Sequence, residues 1–217
     1  SSLMASTAAK LRKAGTLAAI VDLTAIGESG TKDQPASAWY YGIARAIALN
    51  PDLVMCSISA FGQRGPMAGL PGYDYIAQGY AGFTDLIGEE GGSPYFPQLA
   101  FGDAATGGFA LAAVLAALLH RQRGGPGQYL DVSLLDVYLN GQEIAVQAAS
   151  LSDGAVVPRR TGRQHFSVCP LGIFRGAQGY LVIVGLGKQW DQLCRVLGRP
   201  ELATDPRYAS NAARVDH

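Results

Sequence analysis

The sequence has little charge, and neither sign is in excess. Charged residues make up 16% of the 217 residues, and 17 Lys and Arg balance 17 Asp and Glu, so the formal net charge is zero. No basic stripe with interleaved aromatic residues is present, which argues against a nucleic-acid surface. Any anionic ligand must therefore meet local positive groups.

Cysteines and long apolar runs are also scarce. Cys56, Cys169 and Cys194 are odd in number, far apart and without CxxC spacing, so neither a disulfide framework nor a metal site is indicated. A reducing cytoplasm suits this pattern best. The longest apolar stretch, residues 109–119, is too short to span a bilayer, and residues 1–14 lack the apolar core of a signal peptide. We therefore expect neither a membrane partner nor export.

What the sequence does contain is an alternation of helical and strand patterns. Apolar residues at helical spacing (39–49) end at Asn50-Pro51, and the run 53–59 has the composition of a buried strand. Further helices are predicted over 73–81, 106–123 and 136–149, with a strand over 128–135 between the last two. Helices alternating with strands indicate an α/β fold.

Changes in composition suggest three parts. Residues 1–38 form an atypical lead-in whose only apolar segment, 17–23, is a short strand or helix. Residues 39–157 form part of an α/β large domain with a linker helix. Residues 158–217 begin a small α+β domain, with strands over 166–174 and 180–184 joined by a glycine-bounded turn and a short helix over 189–197.

Asp103 is the most suggestive single residue. It lies between glycines in the segment 101–108, where an apolar helix begins, so its carboxylate is expected to face the first-turn N–H groups and to stay ionised near neutral pH. From these residues alone Asp103 is either an N-cap or a nucleophile. Asp74 at the start of an earlier helix has the same two interpretations, and Tyr73 is either a half-buried aromatic or a substrate contact.

Three other positions carry weaker signals. The loop 60–66 follows a buried strand at the end where open α/β sheets bind ligands, although its glycines and proline also suit an ordinary turn. His120 is expected to be a surface residue at a helix C-terminus. His165, next to Arg163, is a solvated loop histidine or a contact for an anion.

Several ordered motifs together resemble the family III CoA-transferases (CaiB/BaiF type), which include formyl-CoA and carnitine-type transferases and are related to the α-methylacyl-CoA racemases. The motifs are Asn50-Pro51-Asp52, Ser57-Ile58-Ser59-Ala60-Phe61-Gly62, Gly72-Tyr73-Asp74-Tyr75-Ile76-Ala77-Gln78, Gly102-Asp103-Ala104-Ala105-Thr106-Gly107, Leu119-His120-Arg121 and Gly127 to Asp136. The resemblance runs from about residue 41 to residue 217. It implies part of a Rossmann-like large domain followed by the start of a small α+β domain.

The resemblance also implies a site and a reaction. Asp103 takes the position of the family's nucleophile, and Gly72, Tyr73, Asp74, Gln78 and Gly102 take positions for binding the substrate and coenzyme A (CoA). No permanently bound cofactor is implied, because the CoA thioester is the substrate and a carboxylic acid is the acceptor. The family's full-length members form an interlocked homodimer.

Tyr73 is the residue that distinguishes CoA transfer from racemisation within this resemblance. The related racemases carry His where this chain has Tyr73, because exchange of an α-proton needs a base on one face and an acid on the other. A tyrosine with a pKa of about 10 is a poor base at neutral pH. The sequence therefore favours CoA transfer over racemisation or epimerisation.

The chain also departs from the family. Residues 1–38 lack the family's opening pattern of parallel strands, its basic residues for the CoA phosphates and its Asn-Phe-Arg-Pro-Gly segment, and the carboxyl-terminal return to the large domain is missing. The chain thus resembles a fragment from the middle of a family member. A third hypothesis, besides transferase and racemase, is an inactive fragment that only associates with a partner chain.

Overall fold

The computed structural model describes residues 18–22, for which only the backbone is considered, and residues 48–217. These residues group into two compact units. Unit 1 contains the described part of Ser1–Phe83 together with Gln98–Val146, and unit 2 contains Thr84–Pro97 and Gln147–His217. The predicted helix over 39–49 lies mostly outside the described residues, as does most of the predicted lead-in.

Unit 1 contains a parallel sheet whose described strands are β1 (Ala18–Asp22), β2 (Val54–Ser59) and β3 (Tyr129–Ser133), in that order. Cys56 pairs with Leu130 and Ser59 with Ser133, so the carboxyl ends of β2 and β3 lie side by side. The predicted strands around 53–59 and 128–135 are confirmed. The strand alternative for residues 17–23 is confirmed, and because β1 pairs with β2 in parallel, residues 1–38 contribute at least one strand to the parallel sheet.

From residue 50 onward, four helices begin in the described part of unit 1: α1 (Asp74–Tyr80), α2 (Phe101–Gln122), α3 (Leu134–Gly141) and α4 (Glu143–Leu151). α2 packs on the sheet through Ala110, Val114 and Ala117, which bury Val54 and Cys56. A second cluster joins Ala60, Phe61 and Ala77 to Leu134 and Tyr138. This second cluster packs α1 against α3 at the carboxyl end of the sheet, and the Gly102 N–H bond to the Tyr138 hydroxyl joins the start of α2 to it.

Two predicted helix boundaries are wrong. α3 starts at Leu134, inside the predicted strand, because the Ser133 hydroxyl accepts the N–H of Asp136 at 3.0 Å and caps a new helix. The predicted helix over 136–149 is two helices, since the chain leaves helical geometry at Gln142, whose amide donates to the Ala81 carbonyl at 2.5 Å.

α2 is also longer than its apolar stretch suggested. With 22 residues it is long and apolar enough to cross a membrane by length and composition alone, so the argument that residues 109–119 are too short does not hold for the whole helix. The core helix of a soluble protein passes the same test, and one face of α2 is buried on the sheet.

Unit 2 contains the predicted hairpin, β4 (Leu171–Gly176) paired antiparallel with β5 (Gly179–Val184). The first strand begins later than predicted, after Pro170. α5 (Gln189–Val196) carries Trp190 and Cys194 as expected, and α6 (Asn211–Asp216) ends the described chain, after 3-10 turns at Pro200–Ala203 and Pro206–Tyr208. Helices and strands thus mix in both units, as the predicted α/β class requires.

The division into units differs from the predicted boundary at residue 157. The break lies at Val146, and the segment Thr84–Pro97, with its 3-10 turn Thr84–Leu86, groups with the later residues. The reason is visible in the contacts: the Arg160 guanidinium donates to the Asp85 carbonyl at 2.9 Å and pairs with its carboxylate, and the Gly162 N–H donates to the Gly88 carbonyl at 3.0 Å.

Candidate active site

Asp103 is the third residue of α2. Of its two interpretations, N-cap and nucleophile, this position excludes the N-cap. The N-cap of α2 is Ala100, which makes no side-chain cap. Residues 101–105, predicted to lie before the helix, form its first turn. Asp103 is therefore not an N-cap, and its side chain lies on the exposed side of the helix start.

Asp74 lies next to this helix start but has the opposite environment. It is the first residue of α1, where Tyr73 takes the N-cap position, and only 4% of Asp74 is exposed. One carboxylate oxygen, Oδ2, accepts the backbone N–H of Asp103 at 3.3 Å. Asp74 thus bonds to the first turn of α2, which the capping interpretation for its own helix did not anticipate.

Tyr138 of α3 joins these groups and was not singled out by the sequence. Its side chain is fully buried, and its hydroxyl donates a short hydrogen bond to Oδ1 of Asp74. The same hydroxyl accepts the N–H of Gly102 and the Nε2–H of Gln78, each at 3.1 Å. Burial and the bond to Asp74 raise the pKa of Tyr138 to about 12, so the phenol is protonated at neutral pH.

Two glycines of the predicted site are required by close packing. A Cβ on Gly102 would lie 2.6 Å from Asp74 Oδ1 and 2.9 Å from Tyr138 Cζ. A Cβ on Gly72 would lie 2.7 Å from Ala60 Cβ and 2.9 Å from Phe61. Real Cβ atoms do not approach neighbours so closely, so any larger residue at either position must displace its surroundings.

The other predicted site residues, Tyr73 and Gln78, differ in how much of the side chain is exposed to solvent. Tyr73 is 51% exposed at the start of α1, where a ligand can reach it. Gln78 is only 1% exposed and directs its amide to Tyr138. The structure thus brings Asp74, Gln78, Gly102 and Asp103 into one hydrogen-bonded group through Tyr138. Gly72 and Tyr73 lie immediately before this group in the chain.

Aromatic rings surround Tyr138. The ring of Phe83 lies 5.2 Å from it and that of Phe101 lies 6.0 Å from it, measured between centroids, while Phe83 and Phe101 stack on each other. Such rings hold a buried side chain in place and keep its surroundings apolar. An apolar surrounding strengthens the hydrogen bonds that Tyr138 makes.

The loop 60–66 is fixed to the neighbouring strand at the carboxyl edge of the sheet. The N–H of Gln63 donates to Asp131 Oδ2 at 2.8 Å, and the N–H of Gly62 donates to Ser59 Oγ at 3.0 Å. Burial, and next the charge of Asp136, raise the pKa of Asp131, while the Gln63 bond lowers it. Gly62 has φ of +81°, which favours glycine in this turn.

The histidine and cysteine positions offer no second reactive site in the part of the chain that the structure describes. His120 is exposed in the last turn of α2, as predicted, and His165 stacks on Phe166 with its Nδ1 facing the N–H of Ser167 at 3.2 Å. Burial raises the pKa of the Cys56 and Cys194 thiols. No cluster of metal-binding side chains is found among residues 18–22 and 48–217.

A cavity of about 400 Å³ in unit 2 includes Arg163, which is close in sequence to His165, the residue suggested as a contact for an anion. Its lining mixes charges of both signs: Glu89, Glu90, Thr161, Arg163, Gln164, Ile173, Phe174 and Arg175. Because two carboxylates face two guanidinium groups, this cavity has no net preference for an anion. The hydrogen-bonded group in unit 1 is the stronger candidate.

The chain is similar to known CoA-transferases over most of its length. The family model described as CoA-transferase family III matches residues 28–217. A succinate–glutarate CoA-transferase of Agrobacterium fabrum is 42% identical over 170 residues, which cover 78% of this chain and 42% of the relative. A succinyl-CoA:glutarate CoA-transferase of Mus musculus is 38% identical, covering 77% of this chain and 38% of the relative.

Solved structures give the same result for the fold. A CAIB/BAIF family protein from Brucella suis has a TM-score of 0.66 and 33% identity, covering 94% of this chain and 51% of that one. Rv3272 from Mycobacterium tuberculosis has a TM-score of 0.72 and 28% identity, covering 96% of this chain and 52% of that one. The chain spans about two fifths of the length of these curated relatives and about half of these solved structures. With the family model matched over residues 28–217, the chain belongs to CoA-transferase family III.

Proposed function

We propose that this protein transfers CoA from an acyl-CoA to a carboxylic acid, with Asp103 as the nucleophile. The observation that supports this role best is the position of Asp103 on α2. Its side chain is on the exposed side of the first turn, while its backbone N–H is held by the buried Asp74. A carboxylate that is accessible on a fixed backbone suits nucleophilic catalysis.

The chemistry explains why the nucleophile is a carboxylate. Asp103 attacks the thioester carbonyl, forming a mixed anhydride and expelling CoA thiolate, and the thiolate then attacks the Asp103 carbonyl, giving an aspartyl-CoA thioester and the free donor acid. The acceptor carboxylate reverses both steps. An anhydride keeps the reactivity of the thioester, whereas a serine ester would lose it.

Residues of this chain are proposed to align the reacting groups and to exclude water. A carboxylate with a pKa of about 4 is a weak nucleophile in water, so alignment and exclusion of water must raise its reactivity. Gly102 allows the close approach of α2 to Asp74 and Tyr138. Gly72, Tyr73, Asp74 and Gln78 are proposed to position the thioester: Tyr73 is exposed and can contact it, whereas Gly72, Asp74 and Gln78 are buried and act through the backbone that they hold.

Tyr73 also favours transfer over racemisation. It stands at the start of α1, where the related racemases carry a histidine base, and a phenol does not remove an α-proton readily at neutral pH. The names of the relatives point the same way, since they are CoA-transferases.

The substrates are proposed from those names. Relatives act on succinate and glutarate, and an Acetobacter aceti relative is an acetyl-CoA:oxalate CoA-transferase, so short dicarboxylic acids and their CoA thioesters are the first substrates to test. No permanently bound cofactor is needed by the proposed reaction. We also propose a cytoplasmic location and the interlocked homodimer that the resemblance to the family implies.

The test is to trap the intermediate on Asp103. The protein is incubated with succinyl-CoA and hydroxylamine, which converts an anhydride or aspartyl thioester into a hydroxamate, and the modified peptide is identified by mass. We expect the hydroxamate at Asp103, its loss in Asp103→Ala and its retention in Glu143→Gln, an exposed acid on α4. Succinyl-CoA turnover with glutarate is measured in the same samples.

Other outcomes would identify the alternatives. An unmodified Asp103 in protein that turns over would contradict the proposed nucleophile. Solvent deuterium at the α-carbon of a branched acyl-CoA, without transfer to an acid, would indicate an epimerase. No turnover and no CoA binding by calorimetry, together with a stable oligomer, would indicate a chain that only associates with a partner.

A further inference from the structure

The hydroxyl of Tyr138 uses its full hydrogen-bonding capacity inside the proposed active site. A phenol has one donor and two acceptor lone pairs. The donor goes to Asp74, and the lone pairs receive the N–H groups of Gly102 and Gln78. Because both incoming groups are donors, they fix the hydroxyl rotor with its hydrogen toward Asp74.

These hydrogen bonds determine which acceptors the first N–H groups of α2 bind. The first N–H groups of a helix have no partner within the helix and usually stabilise an anion. Here the N–H of Gly102 is bonded to Tyr138 and that of Asp103 to Asp74, while the N–H of Ala104 donates to Ala100 at 3.2 Å. These three donors are therefore occupied by groups other than the Asp103 carboxylate.

The acceptors of these three N–H groups bear on the proposed nucleophile, Asp103. N–H bonds to a carboxylate stabilise its charged form and lower its basicity. These three bonds go instead to Tyr138, to Asp74 and to the Ala100 carbonyl, so they fix the backbone of the first turn and do not act on the Asp103 carboxylate. The expectation that these N–H groups face the Asp103 carboxylate is thus wrong for Gly102 and Asp103.

We propose that Tyr138 is a positioning residue for CoA transfer, which holds Asp74 and the first turn of α2 so that the Asp103 carboxylate is presented to the acyl-CoA. The proposal rests on the proposed function, because it assigns Tyr138 a role in that reaction. Tyr138 does not touch the reacting atoms, since it is fully buried behind Gly102.

The main test compares Tyr138→Phe with Tyr129→Phe. Tyr129 also has a partly buried hydroxyl, which donates to Ser57 at 2.9 Å in the sheet and belongs to no part of the proposed site. We expect Tyr138→Phe to lower kcat about tenfold or more with KM for succinyl-CoA changed less than about twofold, because a misplaced nucleophile slows chemistry without weakening binding. Tyr129→Phe should leave both constants within about twofold of wild type.

A second measurement follows the anchoring itself, without turnover. Hydrogen exchange of the peptide covering residues 100–106 should become faster in Tyr138→Phe, because the N–H of Gly102 loses its acceptor, and should stay unchanged in Tyr129→Phe. Gln78→Met, which removes one of the two donors to the hydroxyl, should give a smaller fall in kcat in the same direction. This variant also serves if Tyr138→Phe does not fold.

The outcomes separate the two proposals. A wild-type kcat in Tyr138→Phe or in Gln78→Met, a rise in KM alone, or unchanged exchange at residues 100–106 would overturn the role of Tyr138. An absent Asp103 hydroxamate in wild-type protein that turns over would instead overturn the proposed nucleophile, while the exchange experiment would still report on the anchoring.

Discussion

Asp74 and Asp103 show how two similar residues at helix starts take different tasks. Asp74 is 4% exposed and accepts hydrogen bonds with both carboxylate oxygens, whereas the Asp103 side chain is on the exposed side of its helix. A buried carboxylate must have its oxygens satisfied, and Tyr138 and the first turn of α2 supply those bonds. Asp74 therefore holds the first turn of α2 in place, whereas the Asp103 side chain is accessible for the proposed reaction.

Gly102 and Gly107 provide a matched pair on the same helix. We expect Gly102→Ala to lower the free energy of unfolding by about 1–3 kcal/mol, because the new Cβ must displace Tyr138 and Asp74. At Gly107 a Cβ meets nothing within 4 Å, so Gly107→Ala should raise stability by about 0.5–1 kcal/mol. Urea denaturation measures both, and equal effects would contradict the packing described for Gly102.

Tyr138 should make stability depend on pH in the alkaline range. Its pKa rises from 10.0 to about 12 in the folded state, so the folded protein favours the protonated phenol. This contribution is complete below pH 10 and is lost as pH rises toward 12, amounting to about 3 kcal/mol for two pKa units. Urea titrations between pH 9 and about 11 should show a smaller loss in Tyr138→Phe than in wild type. Identical slopes would contradict the raised pKa.

At the scale of single elements, α3 depends on its cap. Ser133 accepts the N–H of Asp136 at 3.0 Å and donates to its carboxylate at 2.7 Å, and this cap starts the helix that carries Tyr138. We expect Ser133→Ala to cost about 1 kcal/mol in the free energy of unfolding. Ser150→Ala, at an exposed position of α4, should change it by less than about 0.5 kcal/mol. No difference between the two variants would argue against the cap.

α2 has one face on the sheet and one exposed face. Val114 is 6% exposed and packs with Val54 and Cys56, whereas the adjacent Leu115 is 57% exposed. Val114→Ala should therefore cost about 1–3 kcal/mol by leaving a cavity, and Leu115→Ala about 0.5 kcal/mol or less. The free energy of unfolding of each variant checks this, and a larger loss at Leu115 would mean that the exposed face is covered in solution.

The elements that could be predicted from the sequence are those with strong local signals. Asn50-Pro51 before β2, the glycines around the β4–β5 turn and the His120-Arg121 end of α2 mark their elements clearly. The start of α2 could not be predicted, because glycine has a low helix propensity and the residue that Gly102 packs on, Tyr138, is distant in sequence.

In the candidate site, too, the residues within local sequence motifs could be predicted, and the residue that joins distant segments could not. Asp103 and Asp74 were found because they stand at predicted helix starts, close after a glycine, within family motifs. Tyr138 is 36 residues from Gly102 and 64 from Asp74, and its spacing after Leu134 is that of any buried aromatic on a helix. Only the tertiary structure shows that its hydroxyl joins the two segments.

At the scale of the whole molecule, the site lies within unit 1. α1, α2 and α3 all begin near the carboxyl end of the parallel sheet, the end at which open α/β sheets usually bind ligands. The three hydrogen bonds that join Asp74, Gly102, Asp103 and Tyr138 to one another lie within unit 1. This chain thus contains the proposed nucleophile together with the residues that hold its backbone.

The most direct measurement follows oxygen from the acceptor acid into Asp103. The acceptor carboxylate supplies the bridging oxygen of the second anhydride, and when CoA thiolate attacks the acceptor carbonyl, that oxygen stays with Asp103. Turnover of succinyl-CoA with glutarate labelled with heavy oxygen (¹⁸O) should therefore leave the label in the peptide that contains Asp103, and Asp103→Ala should neither turn over nor take up label. Transfer of CoA to glutarate with no label in Asp103 would contradict the account.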